Sequence, residues 1–443
     1  MAAVEDVSSG SIPTSDGTLP PVLKRQIAAV AVGNALEFYD FTTYAYFAKQ
    51  IGESFFPSHS PLVSLMASLA AFGIGFAGRP VGAILIGAYG DRVGRKPAML
   101  LSFGLMGIAI LMLAFTPSFA AIGLAAPVIV VLARLLQGVA VGGDVGPTTA
   151  FLLEAAPEAQ RGFYTSLQYS SQGVSTLLGG LVGVALTNLL DPQALTDYGW
   201  RIAFLLGASI LPIGFIIRRA LPETLHGDAA ASSDSQQWSW RPVVLGFFVL
   251  GGATVGFYVL AYLTTYASVV LHMKANVSFA ATVVFGLANI IFSALAGALS
   301  DRFGRWPLMV IPRALFTLGI YPAFVLIVHN RDALTLLGAA FILGALGQMG
   351  VTGFVALSEA LPKRVRSAAL ATTYAVAISI FGGTTQFNVT WLIVHTGDVM
   401  MPAYYLTVAA IVSLVAMAMM HETAPVILRR RALARGRPAS GGA

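Results

Sequence analysis

Six ionisable side chains lie in stretches that are otherwise almost wholly apolar: Glu37, Asp40, Arg79, Arg134, Asp144 and Arg313. A charged residue inside a bilayer-crossing segment costs about 2.5–3.5 kcal/mol on insertion scales, so it needs a cavity, a partner or an interface. The three acids are candidates for binding and releasing a proton. Glu37 and Asp40 stand i, i+3 apart and so share one face of a helix, which Gly33 and Tyr44 extend. An arginine offers a planar fork that matches a carboxylate, which makes Arg134, in mid-segment, the leading candidate for anion recognition and Arg79 the second. Arg313, six residues into its segment, reads instead as a side chain that snorkels to the interface.

Polar stripes accompany these charges. Tyr164, Gln168 and Gln172 recur at i, i+4, i+8 and place hydrogen-bonding groups in an apolar run. Such groups suit a multiply oxygenated small molecule, or serve as polar glue between helices. Tyr258, Tyr262 and Tyr266 repeat the pattern, with Asn289, Tyr374, Gln386 and Asn388 further on. Tyr258 and Tyr374 are the candidate ligand contacts among them, although aromatic stripes also arise from packing. The chain has no cysteine, and its six histidines offer no i, i+4 metal pair. There is no Gly-x-x-x-x-Gly-Lys-Ser/Thr loop to hold a nucleotide. Neither a metal nor an organic cofactor is expected.

The elements that must position these groups are membrane helices. Of 443 residues, 56% are hydrophobic and only 10% charged, with mean hydropathy +0.78. A soluble domain carries about 25% charged residues. Runs long enough to span, roughly 20 residues, fall near 26–48, 62–89, 97–116, 121–148, 161–189 and 200–221. They resume near 242–270, 277–299, 307–328, 333–358, 366–394 and 401–421. The expected organisation is a tail over 1–24, six helices over 25–221, a polar linker over 222–241, six helices over 242–421, and a basic tail over 422–443. Residues 1–20 carry no Lys or Arg, so no cleaved signal peptide is expected.

With both termini on the cytoplasmic side, nineteen of the 26 Lys and Arg residues fall on that side, four fall outside, and three lie within spans. That bias sets the orientation and explains the net charge of +6 without any nucleic acid.

The two halves repeat. Gly87-Ala-Tyr-Gly-Asp91-Arg92-Val-Gly94-Arg95-Lys96 matches Gly297-Ala-Leu-Ser-Asp301-Arg302-Phe-Gly304-Arg305-Trp306 at an offset of 210 residues. Glu154-Ala-Ala-Pro157-Glu-Ala-Gln-Arg161 matches Glu359-Ala-Leu-Pro362-Lys-Arg-Val-Arg366 at 205, and Glu223-Thr224 echoes Glu422-Thr423 at 199. A duplicated six-helix unit is the economical reading.

These loops, with Arg134-Leu-Leu-Gln137-Gly138, resemble the signatures of the major facilitator superfamily. Gly33-Asn34-Ala-Leu-Glu37-Phe38-Tyr39-Asp40-Phe41, Arg79-Pro80-Val-Gly82, the run from Arg134 to Asp144, and Phe381-Gly382-Gly383 resemble its metabolite:proton symporter family. Gly162-Phe-Tyr164-Thr-Ser-Leu-Gln168-Tyr-Ser-Ser-Gln172 is similar to the citrate and tricarballylate symporters. Asp144 departs from the Glu that relatives mostly carry, and Thr373-Tyr374-Ala375 replaces a Tyr-Asn pair.

The resemblance implies an all-α integral membrane fold of twelve helices in two pseudo-symmetric halves, with the substrate between them. It implies import of a small organic anion, a di- or tricarboxylate, with the proton as coupling ion, by a multi-pass protein of the cell inner membrane. It also implies that a helix 1 acid meets Arg134, and that substrate taking Arg134 drives that acid to bind a proton. A permanent ion pair between the two helices is the bland alternative. Asp91, Arg92, Arg95, Glu154, Arg161, Asp301, Arg302, Arg305, Glu359 and Arg366 would form gating clusters, or act only as topology signals. The same fold with another cargo (an osmolyte, an oxoacid, an aromatic acid or an exported drug) stays open, and a membrane enzyme or sensor is the remaining class.

Overall fold

The computed structural model describes residues 21–142, 152, 156–220, 240–361 and 366–434, and every element among them is helical. The first half contains α1 (Pro21–Tyr46, carried past Phe47 as Ala48–Phe55), α2 (Pro61–Val93), α3 (Arg95–Phe115), α4 (Ala125–Gly142), α5 (Arg161–Leu189) and α6 (Trp200–Ala220). In the second half are α7 (Trp240–Thr265, with a π-helical turn at Tyr266–Val270), α8 (Ala275–Phe303), α9 (Arg305–Asn330) and α10 (Ala333–Met349, then Thr352–Ala360). It closes with α11 (Arg366–Ala377, a π-helical turn at Ile378–Gly382, then Gly383–Thr396) and α12 (Met401–Ala418). A short basic helix, α13 (Pro425–Ala434), follows.

Eight of these helices are long and apolar enough by themselves to cross a bilayer. Of the others, α1 carries Glu37 and Asp40 within its apolar run, and α11 carries Gln386 and Asn388.

The α2–α3 and α8–α9 loops explain why the repeated motif ends in Gly-Arg. Gly94 (φ 128°) and Gly304 (φ 104°) each precede a helix in a backbone region that side chains rarely adopt. The chain can turn there in a single residue and start the next helix with Arg95 or Arg305.

Two seams join the halves. α5 packs along α8 with main chain against main chain: a Cβ at Gly173 would collide with Ile290, and one at Gly286 with Leu177. The seam continues to both ends. Gly162 meets Gly297 at the face carrying the repeated loops, and Asn276 Nδ2 donates to Asn188 Oδ1 (3.1 Å) at the far face. The second seam is shorter. Gly73 of α2 and Gly383 of α11 face each other's carbonyls, and Ser379 Oγ donates to the Phe76 carbonyl (2.9 Å). Small residues allow such approach where no hydrophobic effect drives helices together.

Candidate functional site

A cavity opens between the halves. Phe38 of α1, Arg79 of α2, and Tyr169 and Gln172 of α5 line it from one side; α7, α9, α10 and α11 line it from the other with Tyr258, Arg313, Gln348 and Tyr374 among them. Thus Arg79, Gln172, Tyr258 and Tyr374, expected from the sequence, meet in one place. Tyr374 brings its hydroxyl beside Arg79 and Gln172, yet no nitrogen of Arg79 has a hydrogen-bond partner at bonding geometry. Among the described lining residues there is no carboxylate.

Arg134 is placed differently from expectation. It is fully buried but does not line the cavity. Gly75 and Gly78 of α2 meet Gly138 and Leu135 of α4 so closely that the two main chains touch. Both arginines are thereby brought to one ring, with Arg79 and Arg134 each 4.6 Å from the Phe41 centroid. Arg134 also lies 4.5 Å from Tyr44 and 4.9 Å from Phe72, and donates through Nη1 to Gln137 Oε1. A desolvated cation over an aromatic face gains roughly 2 kcal/mol. Three rings and a hydrogen bond together approach the several kcal/mol that burying the ion costs. Arg79 has two rings, Phe41 and Phe76, both at 4.6 Å. Arg313 has one, Phe316 at 5.4 Å. The compensation falls in that order.

Two expectations need correction. Arg313 does not snorkel. It is 1% exposed and its side chain faces the cavity beside Gly256 of α7 and Gly350 of α10. Distance from a helix end does not fix which side of the helix a residue faces, and α9 turns this one inward. Asp40 does not meet Arg134 either. Its Oδ1 lies against Gly207 of α6, with no hydrogen-bond partner, while the neighbouring Tyr39 hydroxyl donates to the Ala203 carbonyl of the same helix (3.1 Å). The acid-bearing face of α1 is therefore turned partly within its own half. Glu37 is also buried.

The α5 stripe divides. Gln172 faces the cavity, but Tyr164 packs with Ile27 and Leu152. Gln168 is buried, and its carbonyl accepts from Asn34 Nδ2 of α1 (3.1 Å). Residues four apart advance about 40° around a helix of 3.6 residues per turn, so three such positions need not share a neighbour. Tyr169 and Gln348 were not expected, and only Tyr169, next to the stripe, had a nearby signal.

A second polar centre lies at the loop-motif face. Arg305, fully buried, donates to Glu359 Oε1 (2.9 Å), Glu359 Oε2 (3.2 Å), Asp301 Oδ1 (2.7 Å) and Ser300 Oγ (2.7 Å). Asp301 also crosses to the other half, accepting from the backbone N–H of Gly162 (2.8 Å) and Phe163 (2.9 Å) at the start of α5. Such capping is favourable for a carboxylate at a helix N-terminus. Glu422 caps α9 in the same way, accepting from the N–H of Arg305 (2.8 Å) and Trp306 (3.1 Å). Thr423 Oγ1 donates to Glu359 Oε2 (2.7 Å). Of the other expected gating residues, Arg92 and Arg302 are exposed and Arg161 is half-buried. Asp144 and Glu154 lie outside the described residues, as do the side chains of Asp91, Arg95 and Arg366.

The Major Facilitator Superfamily profile matches residues 30–384. The chain belongs to the major facilitator superfamily. This facilitator is 35% identical over 412 residues to a citrate-proton symporter of Klebsiella pneumoniae, covering 91% of this chain and 93% of that one. It is 32% identical over 424 residues to a proline/betaine transporter of Salmonella typhimurium, covering 91% and 84%. The crystal structure of a D-xylose-proton symporter superposes with a TM-score of 0.75 at 18% identity, over 90% of this chain and 98% of that one. The facilitator fold of two six-helix halves is therefore the fold of this chain, and it is a multi-pass membrane transporter rather than an enzyme.

Proposed function

We propose that this transporter imports a small di- or tricarboxylate, of the citrate kind, in symport with protons, by exposing the cavity between its halves to the two sides in turn. The observation that carries the reading is Arg79. It is 2% exposed, it faces the cavity, and none of its three guanidinium nitrogens makes a hydrogen bond to the protein at bonding geometry, the Tyr374 hydroxyl lying nearby. A buried guanidinium in a cavity without lining carboxylates calls for an anion, and its fork suits a carboxylate. Gln172, Tyr258 and Tyr374 add hydrogen-bonding groups for further oxygens. The likeness to citrate-proton symporters supports both the cargo and the coupling ion.

Asp40 is the proposed proton site, because an ionised carboxylate buried with an oxygen that meets no donor is costly. It lies two residues from the cavity-lining Phe38, so α1 links proton and substrate mechanically. The loop-motif face is assigned to the cytoplasm of a bacterial inner membrane by the distribution of basic residues.

A second reading is a betaine-like zwitterion. Tyr169, Phe257, Tyr258, Phe354 and Tyr374 line the same cavity, and aromatic rings bind quaternary ammonium groups. Uptake into proteoliposomes under an imposed pH gradient decides between them. Labelled citrate should accumulate, with tricarballylate competing and glycine betaine failing to compete. The reverse pattern selects the zwitterion. Asp40→Asn should abolish accumulation while retaining exchange of internal for external citrate; accumulation with unchanged pH dependence would move the proton site elsewhere.

A further inference from the structure

We infer that Arg313 is a second carboxylate-binding post, so that the cavity takes a ligand with two separated carboxylates, one held by each half of the protein. This rests on the carboxylate reading above and says what in the site selects for more than one carboxylate.

Arg79 belongs to α2 of the first half and Arg313 to α9 of the second, and both line one cavity. Arg313 is 1% exposed, and its Nε and Nη2 have no hydrogen-bond partner from the protein. It stacks on fewer rings than Arg79 or Arg134, with one at 5.4 Å. Both cations approach the same stretch of α7. Phe76, which Arg79 stacks on, lies 5.4 Å from the ring of Tyr258, and Arg313 lies beside Gly256.

The repeat does not account for this placement. The 210-residue offset pairs Arg79 with Asn289 and Arg313 with Phe103. Each half therefore carries its cation at its own position, as an asymmetric ligand would require and a structural symmetry would not. Two fixed positive charges with no carboxylate among the described lining residues balance a dianion. A ligand with one carboxylate reaches one post and leaves the other cation uncompensated.

Equilibrium binding of labelled citrate to the purified full-length protein in nanodiscs tests the assignment. Arg313→Gln should weaken citrate and tricarballylate binding by roughly 100-fold, the scale of a lost charge-assisted bidentate pair. Binding of butyrate, with its single carboxylate, should change less than about threefold. Arg313→Lys keeps the charge and loses the fork, and should fall between the two. Citrate binding by Arg313→Gln within about threefold of the unmodified protein would make Arg313 a structural residue and overturn the inference.

Should that variant fail to fold, an arginine-selective dicarbonyl reagent answers the question on the unmodified chain. Saturating citrate should protect Arg79 and Arg313 together, whereas butyrate should leave Arg313 reactive. An unchanged labelling rate at Arg313 under citrate would overturn the assignment. If the unmodified protein binds neither citrate nor tricarballylate, the carboxylate reading itself falls; if it binds both and only the Arg313 effects are missing, only this inference falls.

Discussion

Arg305 and Arg79 are buried almost equally, at 0% and 2% exposed, but their surroundings are opposite. Arg305 is saturated by two carboxylates and a hydroxyl; Asp301 goes on to cap α5 and Glu359 accepts from Thr423. Arg79 has two aromatic rings and the Tyr374 hydroxyl nearby, but no hydrogen bond at bonding geometry. A saturated buried ion is part of the frame, because removing it strands its partners. An unsaturated one at a cavity weakens the frame and is retained for what it binds. Burial alone does not distinguish the two, whereas the partner inventory does.

A methionine series breaks or sharpens that contrast, read by thermal unfolding in detergent alongside citrate binding. Arg305→Met should destabilise most, by about 3–5 kcal/mol, because Asp301 and Glu359 are left as uncompensated buried charges. Arg79→Met should do the opposite. It should abolish measurable citrate binding and raise stability by roughly 1–2 kcal/mol, since an unpartnered ion is replaced by apolar volume. Loss of stability in Arg79→Met, comparable to that of Arg305→Met, would erase the distinction.

Thr423→Val, which removes one hydrogen bond to Glu359, should lower stability by about 0.5–1.5 kcal/mol and leave citrate affinity unchanged. Arg134→Met should be nearly silent in stability, within about 1 kcal/mol, as lost cation–π contacts offset relieved desolvation. Its citrate affinity should move less than about fivefold. A loss as large as that of Arg79→Met would place Arg134 in the binding site after all.

The pattern of success in the sequence has a physical origin. The Gly-Arg loops were legible because a positive φ at Gly94 and Gly304 admits few residues, so the local requirement is written in the residue type. The repeat at 210 residues was legible for the same reason, and it carried the two-half architecture with it. Arg79, Gln172, Tyr258 and Tyr374 stood out as polar residues in apolar runs and proved to share a cavity.

What stayed hidden was helix rotation. Whether Arg313 faces lipid or cavity depends on how α9 is turned against α7 and α10, and no spacing within α9 reports that. Asp40 and Arg134 sit on helices of the same half, yet the turn of α1 sends Asp40 to Gly207. Glu422 was visible only as a faint echo, and its role as the cap of α9 depends on a contact across more than a hundred residues.

The α5–α8 seam, where Gly173 and Gly286 bring one main chain against the other, also bears on leakage. A carrier works against a membrane potential worth about 2.3 kcal/mol per elementary charge at 100 mV, and a transient water thread between its halves would dissipate that gradient. Interlocking bulky side chains would have to withdraw from their sockets as the halves tilt, and each empty socket would admit water. Where Gly173 and Gly286 set backbone against backbone there is no such socket to vacate. The glycines therefore make this seam a gasket, able to stay dry through a change of angle that would open a more rugged joint.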